Sequence, residues 1–154
     1  QRYSEAERLY KQSLEVTETI IGPDHPNVAT SLSNLAALYK HRERYDEAEP
    51  LYLRALEITK AYDGQRHSKV ANTLYDLSIL HYMQQRNSDA EKLCREAIEI
   101  WEESIGSDHP DLIKPLDTYA RILRRLSRAD KAHRMEIRAR KIRKNESKSS
   151  IAQA

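Results

Sequence analysis

The chain has 154 residues, of which 39% are hydrophobic and 32% are charged, and its formal net charge is +2. Three Gly and five Pro are too few for an all-β protein with many tight turns, and they exclude collagen-like and Gly/Pro-rich disordered classes. No apolar run approaches the roughly 18 residues of a membrane span, and the single cysteine, Cys94, predicts a reducing, cytoplasmic location.

A short motif recurs along the chain at a constant step of 42 residues. Tyr3-Ser-Glu-Ala-Glu returns as Tyr45-Asp-Glu-Ala-Glu and as Asn87-Ser-Asp-Ala-Glu, with a weaker copy beginning at Ala129. Glycines and histidines keep the same step, at Gly22, Gly64, Gly106, His25, His67 and His109. Ungapped repetition of this kind is typical of a solenoid.

Each repeat is predicted to form two helices. In the middle copy, apolar residues follow an i, i+3, i+4, i+7 pattern from Ala48 to Ile58, and we expect Asp46 to cap this helix. Gly64 stands where a left-handed residue ends a helix, and Ser68 is expected to cap the next one. In chain order, the predicted helices cover 4–21, 27–42, 46–62, 68–84, 88–105, 110–126 and 129–145.

These helices predict an all-α fold, a right-handed superhelical solenoid of antiparallel helix pairs with about three and a half repeats. The array spans residues 1–146, and a disordered tail is expected at 147–154. The first unit, at 3–22, is the second helix of a partial repeat, and full repeats follow at 26–64, 68–106 and 110–145. The face of helix 4–21 that would meet a first helix is therefore predicted to be bare.

Charge is divided unevenly along the chain. Residues 121–148 carry twelve Lys/Arg against three acids, whereas residues 1–120 carry fourteen Lys/Arg against twenty-one acids. We interpret the last, basic helix as a capping helix with a polar outer face. An acidic protein partner is one alternative, and a nucleic acid or membrane surface is another, although no aromatic stacking platform accompanies the bases.

Several residues that suggest chemistry are better explained by structure. The three repeated histidines lie one repeat apart, too far to share a metal ion, and Cys94 takes the place of a core tyrosine. Trp101 takes the place of Thr17 and Thr59, and we expect it to pack against the last helix, with a contact surface as the alternative. No Gly-rich phosphate loop or nucleophile motif occurs, so we predict no enzyme, no metal and no cofactor.

The repeat resembles a known family. Leu35-Ala36 and Tyr39, followed by Ala48, Tyr52 and Ala55, resemble the tetratricopeptide repeat. The 42-residue period is similar to the kinesin light chain type, as are Gly22-Pro-Asp-His-Pro-Asn-Val-Ala, Leu32-Ser-Asn-Leu-Ala-Ala-Leu-Tyr39 and Tyr45-Asp-Glu-Ala-Glu-Pro-Leu-Tyr52. The resemblance covers residues 1 to about 144, and it implies a non-enzymatic protein–protein interaction module.

The resemblance also implies a concave groove, lined by the first helix of each pair, that binds an extended peptide. The positions implied here are Ser33, Asn34, Lys40, His41, Asn72, Tyr75, Asp76, Ile79, Tyr82, Met83, Lys114, Thr118, Arg121, Arg124 and Arg125. Asn34 matches the family's backbone-binding asparagine, whereas Asp76 and Thr118 depart from it. The basic side chains near the last position favour an acidic segment. The alternative function is a scaffold that self-associates through its end helices into a homo-oligomer.

Overall fold

The computed structural model describes residues 2–152, and within them the chain forms seven α-helices and one short 3-10 helix. The α-helices are α1 (Arg2–Ile21), α2 (Pro26–His41), α3 (Tyr45–Asp63), α4 (Ser68–Met83), α5 (Asn87–Ile105), α6 (Ile113–Arg125) and α7 (Ala129–Ala152). A 3-10 turn at Pro110–Leu112 precedes α6, where the sequence predicted one continuous helix. The predicted all-α repeat solenoid is confirmed.

The helices pack as antiparallel pairs that stack along the chain. Contacts are most extensive within α2–α3, α4–α5 and α6–α7, and each pair also packs on its neighbours. The first helices approach one another, α2 beside α4 and α4 beside α6. Among the described residues, the second helices α3, α5 and α7 make no such contacts with each other. The solenoid therefore curves with its first helices on the inside.

Small residues at the repeat step let the paired helices approach closely. On the second helices, alanines recur at two positions, and all six are fully buried: Ala48, Ala90, Ala132, Ala55, Ala97 and Ala139. Leucines of the first helices fill the space beside them, at Leu32, Leu74 and Leu116. Each pair thus buries its apolar stripe against the next pair, as repeat architectures require.

Neighbouring repeats are also joined by an ion pair that recurs every 42 residues. A glutamate on each of the second helices α1, α3 and α5 binds an arginine in the turn that follows the next first helix. The pairs are Glu7–Arg44 at 2.7 Å, Glu49–Arg86 at 2.8 Å and Glu91–Arg128 at 3.2 Å. This regularity was not predicted from the sequence, and it adds a polar contact between each repeat and the next.

The repeated histidines cap the first helices. In each turn the histidine Nδ1 accepts a hydrogen bond from the backbone N–H two residues on: His25 from Asn27, His67 from Lys69 and His109 from Asp111, at 3.1–3.3 Å. The expected cap at Ser68 is therefore wrong, because Ser68 is already the first helical residue. Asp46 is not a cap either, since α3 begins at Tyr45 and its preceding residue, Arg44, makes no side-chain cap bond.

The last helix is longer than predicted. α7 continues to Ala152, so residues 147–152, expected in a disordered tail, are helical. No Gly or Pro interrupts the chain after Pro115, and the Arg, Lys, Glu and Ala residues of 129–146 favour a helix that continues into the serine-rich end. Residues 153–154, the rest of the predicted tail, lie outside the described residues.

Candidate functional site

Several predicted groove residues meet in a cleft between α2 and α4. The cleft has a volume of about 170 Å³. Its walls are mainly uncharged and polar, and they comprise Pro26, Ala29, Thr30, Ser33, Asn34, Thr59, Asp63, Lys69, Asn72, Thr73 and Asp76. We call this the polar cleft. It brings together Ser33, Asn34, Asn72 and Asp76 of the predicted set.

A second cleft adjoins it, between α4 and the start of α6. This cleft is more open, at about 600 Å³, and is lined by Ser68, Asn72, Trp101, Ile105, Pro110, Asp111, Ile113 and Lys114. We call it the tryptophan cleft. Asn72 lines both clefts, so the two clefts are neighbours on either side of α4.

Two residues of the predicted groove set, Lys40 and Asp76, bind each other between α2 and α4. The Lys40 ammonium donates to Asp76 at 2.8 Å and lies 5.4 Å from the ring centre of Tyr52. Lys40 is buried, so it ties α2 to α4 and is not an open cation for a ligand. The charge of Lys40 is therefore already neutralised by Asp76.

Tyr75 forms a rigid contact between α4 and α6. Its hydroxyl lies 2.9 Å from the Thr118 hydroxyl, and its ring packs edge-on against Trp101 at 5.5 Å. Burial raises the pKa of Tyr75 above the usual tyrosine value, so this hydroxyl stays protonated. The expected packing partner of Trp101 was the last helix, whereas the ring contact that the structure shows is with α4.

The cations of α6 divide between its two sides. Arg124 faces α7, where it makes two hydrogen bonds of 2.9 Å to Glu136. Arg125 lies 5.2 Å from the ring centre of Tyr82. Among the described residues, no carboxylate pairs with Lys114, Arg121 or Arg125. These three exposed cations follow one stripe of α6, at i, i+7 and i+11, and Lys114 lines the tryptophan cleft.

The remaining predicted positions do not line either cleft. Met83 and His41 are exposed at the C-terminal ends of their helices, and Ile79 is half-buried on α4. The sequence-based prediction missed the contribution of the second helices, because it considered first helices only. Thr59 and Trp101 stand 42 residues apart, near the ends of α3 and α5, and this equivalence was a visible signal that each position lines the cleft of its own repeat.

Metal and membrane sites are not indicated in the part of the chain that the structure describes. No group of three His, Cys, Asp or Glu side chains gathers there as a metal site. No helix of residues 2–152 combines the length and apolarity of a membrane span.

Comparisons with solved structures identify the fold. BtubC (BKLC) from P. vanneervenii superimposes with a TM-score of 0.88 at 25% identity, over 95% of this chain and 58% of that chain. A putative kinesin light chain from Podosopora anserina, with nearly identical TPR-like repeats, superimposes with a TM-score of 0.75 at 19% identity. The match covers 94% of this chain and 68% of that chain. MamA superimposes with a TM-score of 0.63 at 14% identity, and the match covers 95% of this chain and 91% of the MamA chain. The chain thus spans little more than half the length of BtubC.

The comparison with protein families agrees. The family model described as tetratricopeptide repeat matches residues 1–61, 29–93 and 69–145, which together cover most of the chain. A search of curated proteins gave no match. Tetratricopeptide arrays are generally non-enzymatic modules for protein–protein interaction, and the expected resemblance to the kinesin light chain type is confirmed. The chain belongs to the tetratricopeptide repeat family.

Proposed function

We propose that this interaction module, acting in the cytoplasm as an adaptor, binds a short, acidic, extended peptide segment along the groove formed by α2, α4 and α6. One observation carries the proposal. The polar cleft and the tryptophan cleft share Asn72, and Lys114 of the tryptophan cleft begins a stripe of α6 whose cations have no carboxylate partner among the described residues.

The polar cleft supplies groups that can hold a peptide backbone. Asn34 and Asn72 are exposed, and among the described residues neither side-chain amide is hydrogen-bonded to another protein group. Each amide offers a carbonyl acceptor and an N–H donor, which together match one peptide unit. The two asparagines lie on neighbouring first helices, so a peptide that crosses the helices would meet both.

The α6 stripe supplies the charge. Lys114 stands at the rim of the tryptophan cleft, and Arg121 and Arg125 follow it along the same side of the helix. Guanidinium groups bind carboxylates through paired hydrogen bonds. An acidic segment would therefore be attracted to this part of the groove, and its affinity would fall as salt is added.

The test reverses two charges in the groove. We expect Arg121→Glu with Arg125→Glu to weaken binding of peptides selected from an Asp/Glu-rich array by about tenfold or more, since each exposed ion pair is worth about 0.2–1 kcal/mol and reversal adds repulsion. The matched control reverses Arg134 and Arg140, which are exposed on α7. Fluorescence anisotropy with labelled peptides measures both. Equal affinity for the groove variant and wild type would refute the proposal.

A second candidate function, self-association, is favoured by the exposed face of α1. Tyr10 is 38% exposed and Val16 is 55% exposed, whereas their equivalents on α3, Tyr52 and Ile58, are buried under α2. A second copy could cover this uncharged face. Light scattering during size-exclusion chromatography tests it: a dimer that Val16→Glu converts to a monomer supports self-association, and a monomer of the wild-type chain at tens of micromolar rules it out for this chain.

A further inference from the structure

The two clefts occupy the same architectural place one repeat apart, but their chemistry differs. Each is bounded by two neighbouring first helices and by the end of the second helix that lies beneath them. At equivalent positions, Thr59 of the polar cleft is replaced by Trp101, and Asp63 is replaced by Ile105. The repeat thus places two clefts at equivalent positions and gives them two kinds of lining.

The polar cleft carries almost no net charge of its own. Asp63 is held by the Lys69 ammonium at 3.1 and 3.2 Å, and Asp76 is held by Lys40 at 2.8 Å. The hydroxyl and amide groups of Thr30, Ser33 and Asn34 make up much of the remaining wall. A bulky apolar side chain here would strip water from these polar groups without replacing their hydrogen bonds, which is unfavourable.

The tryptophan cleft has the opposite preference. Trp101, Ile105 and Ile113 are half-buried, so each keeps apolar surface facing the cleft. The Trp101 ring is held in place by its edge-on contact with Tyr75. A rigid apolar wall of this kind gains most from a bulky apolar side chain, because burying that side chain releases water from both surfaces at little conformational cost.

We propose that the tryptophan cleft selects a bulky apolar side chain of the bound peptide and that Trp101 determines this specificity. Neighbouring helices lie about 8–10 Å apart, and an extended peptide advances about 3.3 Å per residue. The apolar residue therefore stands about three residues from one with a hydrogen-bonding side chain, which enters the polar cleft. This inference rests on the proposed peptide-binding function and adds the sequence pattern of the partner.

The experiment selects peptides from a random nine-residue library displayed on phage, using the intact chain as bait. Four baits are compared: wild type, Trp101→Thr, Ile105→Asp and the control Ile137→Thr. The first two substitutions install the residues that the polar cleft has at the equivalent positions, and Ile137 is 50% exposed on α7, away from both clefts. Circular dichroism verifies that each variant is folded. If Trp101→Thr is not folded, the peptides selected by Ile105→Asp decide whether the tryptophan cleft sets the apolar preference.

We expect peptides enriched by the wild type and the control to share a bulky apolar position, and the two cleft variants to lose that preference. For one enriched peptide, Trp101→Thr should weaken binding about tenfold. Replacing the peptide's apolar residue by Ser should weaken binding to the wild type about as much, yet hardly affect the variant. Enriched peptides without a common apolar position, or an apolar preference that survives in both cleft variants, would overturn the inference.

The result also separates this inference from the function on which it rests. If reversing Arg121 and Arg125 weakens binding while the apolar preference survives in both cleft variants, the groove binds peptides but Trp101 does not set specificity. If no peptide is enriched by the wild type, both proposals fail.

Discussion

Replacing Gly64 by Ala tests the turn that leads from one repeat to the next. Gly64 follows α3 with φ of 90° and ψ of 160°, a backbone conformation that is nearly exclusive to glycine. The sequence predicted a positive φ at this position, and the structure adds that ψ is extended, not helical. The same conformation recurs at Gly106, with φ of 89° and ψ of 152°.

The magnitude follows from the backbone alone. A Cβ added at Gly64 would meet no atom within 4 Å, so the substitution creates no clash. We therefore expect Gly64→Ala to lower the free energy of unfolding by about 1–3 kcal/mol, the usual cost of a residue forced into such a region. For a chain of this size, each kcal/mol corresponds to roughly 2–4 °C in Tm.

Urea unfolding followed by far-UV circular dichroism measures the effect. The matched control is Gln65→Ala in the same exposed turn, which should change the free energy of unfolding by less than about 0.5 kcal/mol. Gln85 provides the reverse experiment: its φ is 64°, so Gln85→Gly should leave stability unchanged or raise it. Equal stability of wild type and Gly64→Ala would refute the assigned turn geometry.

Three further predictions concern single contacts. Hydrogen bonds from Lys11 and Arg44 lower the pKa of Glu7 to about 2, so the stability that its ionised form contributes is present above about pH 4.5 and is lost as the pH falls towards 2. Urea titrations should show that the free energy of unfolding falls less over this pH range for Glu7→Gln than for the wild type. An identical pH profile of the two proteins would contradict the pairing. Burial raises the pKa of Cys94 to about 12, so the folded protein should react with a thiol reagent at pH 8 only when the fold opens. The urea-unfolded chain should react at once. Fast labelling of the folded protein would contradict the burial of Cys94. A double-mutant cycle of Glu49→Gln and Arg86→Gln should give a coupling energy of about 0.5–1 kcal/mol, and zero coupling would remove this pair from the contacts that join the repeats.

The helices could be predicted because one rule repeats along the chain. The boundaries between repeats lie near residues that recur every 42 positions, such as Gly64 or His67, so an error in one copy is corrected by the others. No repeated residue marks where the last helix, α7, ends. Residues 147–152 lie beyond the last turn signal and include three serines, so their helical state follows from continuation of α7 and not from local propensity.

The groove residues could be predicted only in part. The spacing of residues along the sequence determines which face of a helix each one occupies, but it does not determine which residue pairs with a charged side chain. Lys40 and Arg124 hold equivalent places in two repeats, yet each is neutralised by a different carboxylate, Asp76 and Glu136. The capping role of His67 was missed for a related reason: its side chain reaches the helix backbone only in the conformation that the turn imposes.

The groove itself is tested most directly by mapping amide chemical shifts of the isotope-labelled chain while the tightest-binding peptide of the acidic array is added. We predict that the shifts concentrate on the inner helices, with Asn34, Asn72 and Arg121 among the residues affected. Exposed positions of the second helix α3 away from both clefts, such as Leu53, should stay unchanged. Shifts confined to α3 and α5, with Asn34 and Asn72 unaffected, would contradict the account.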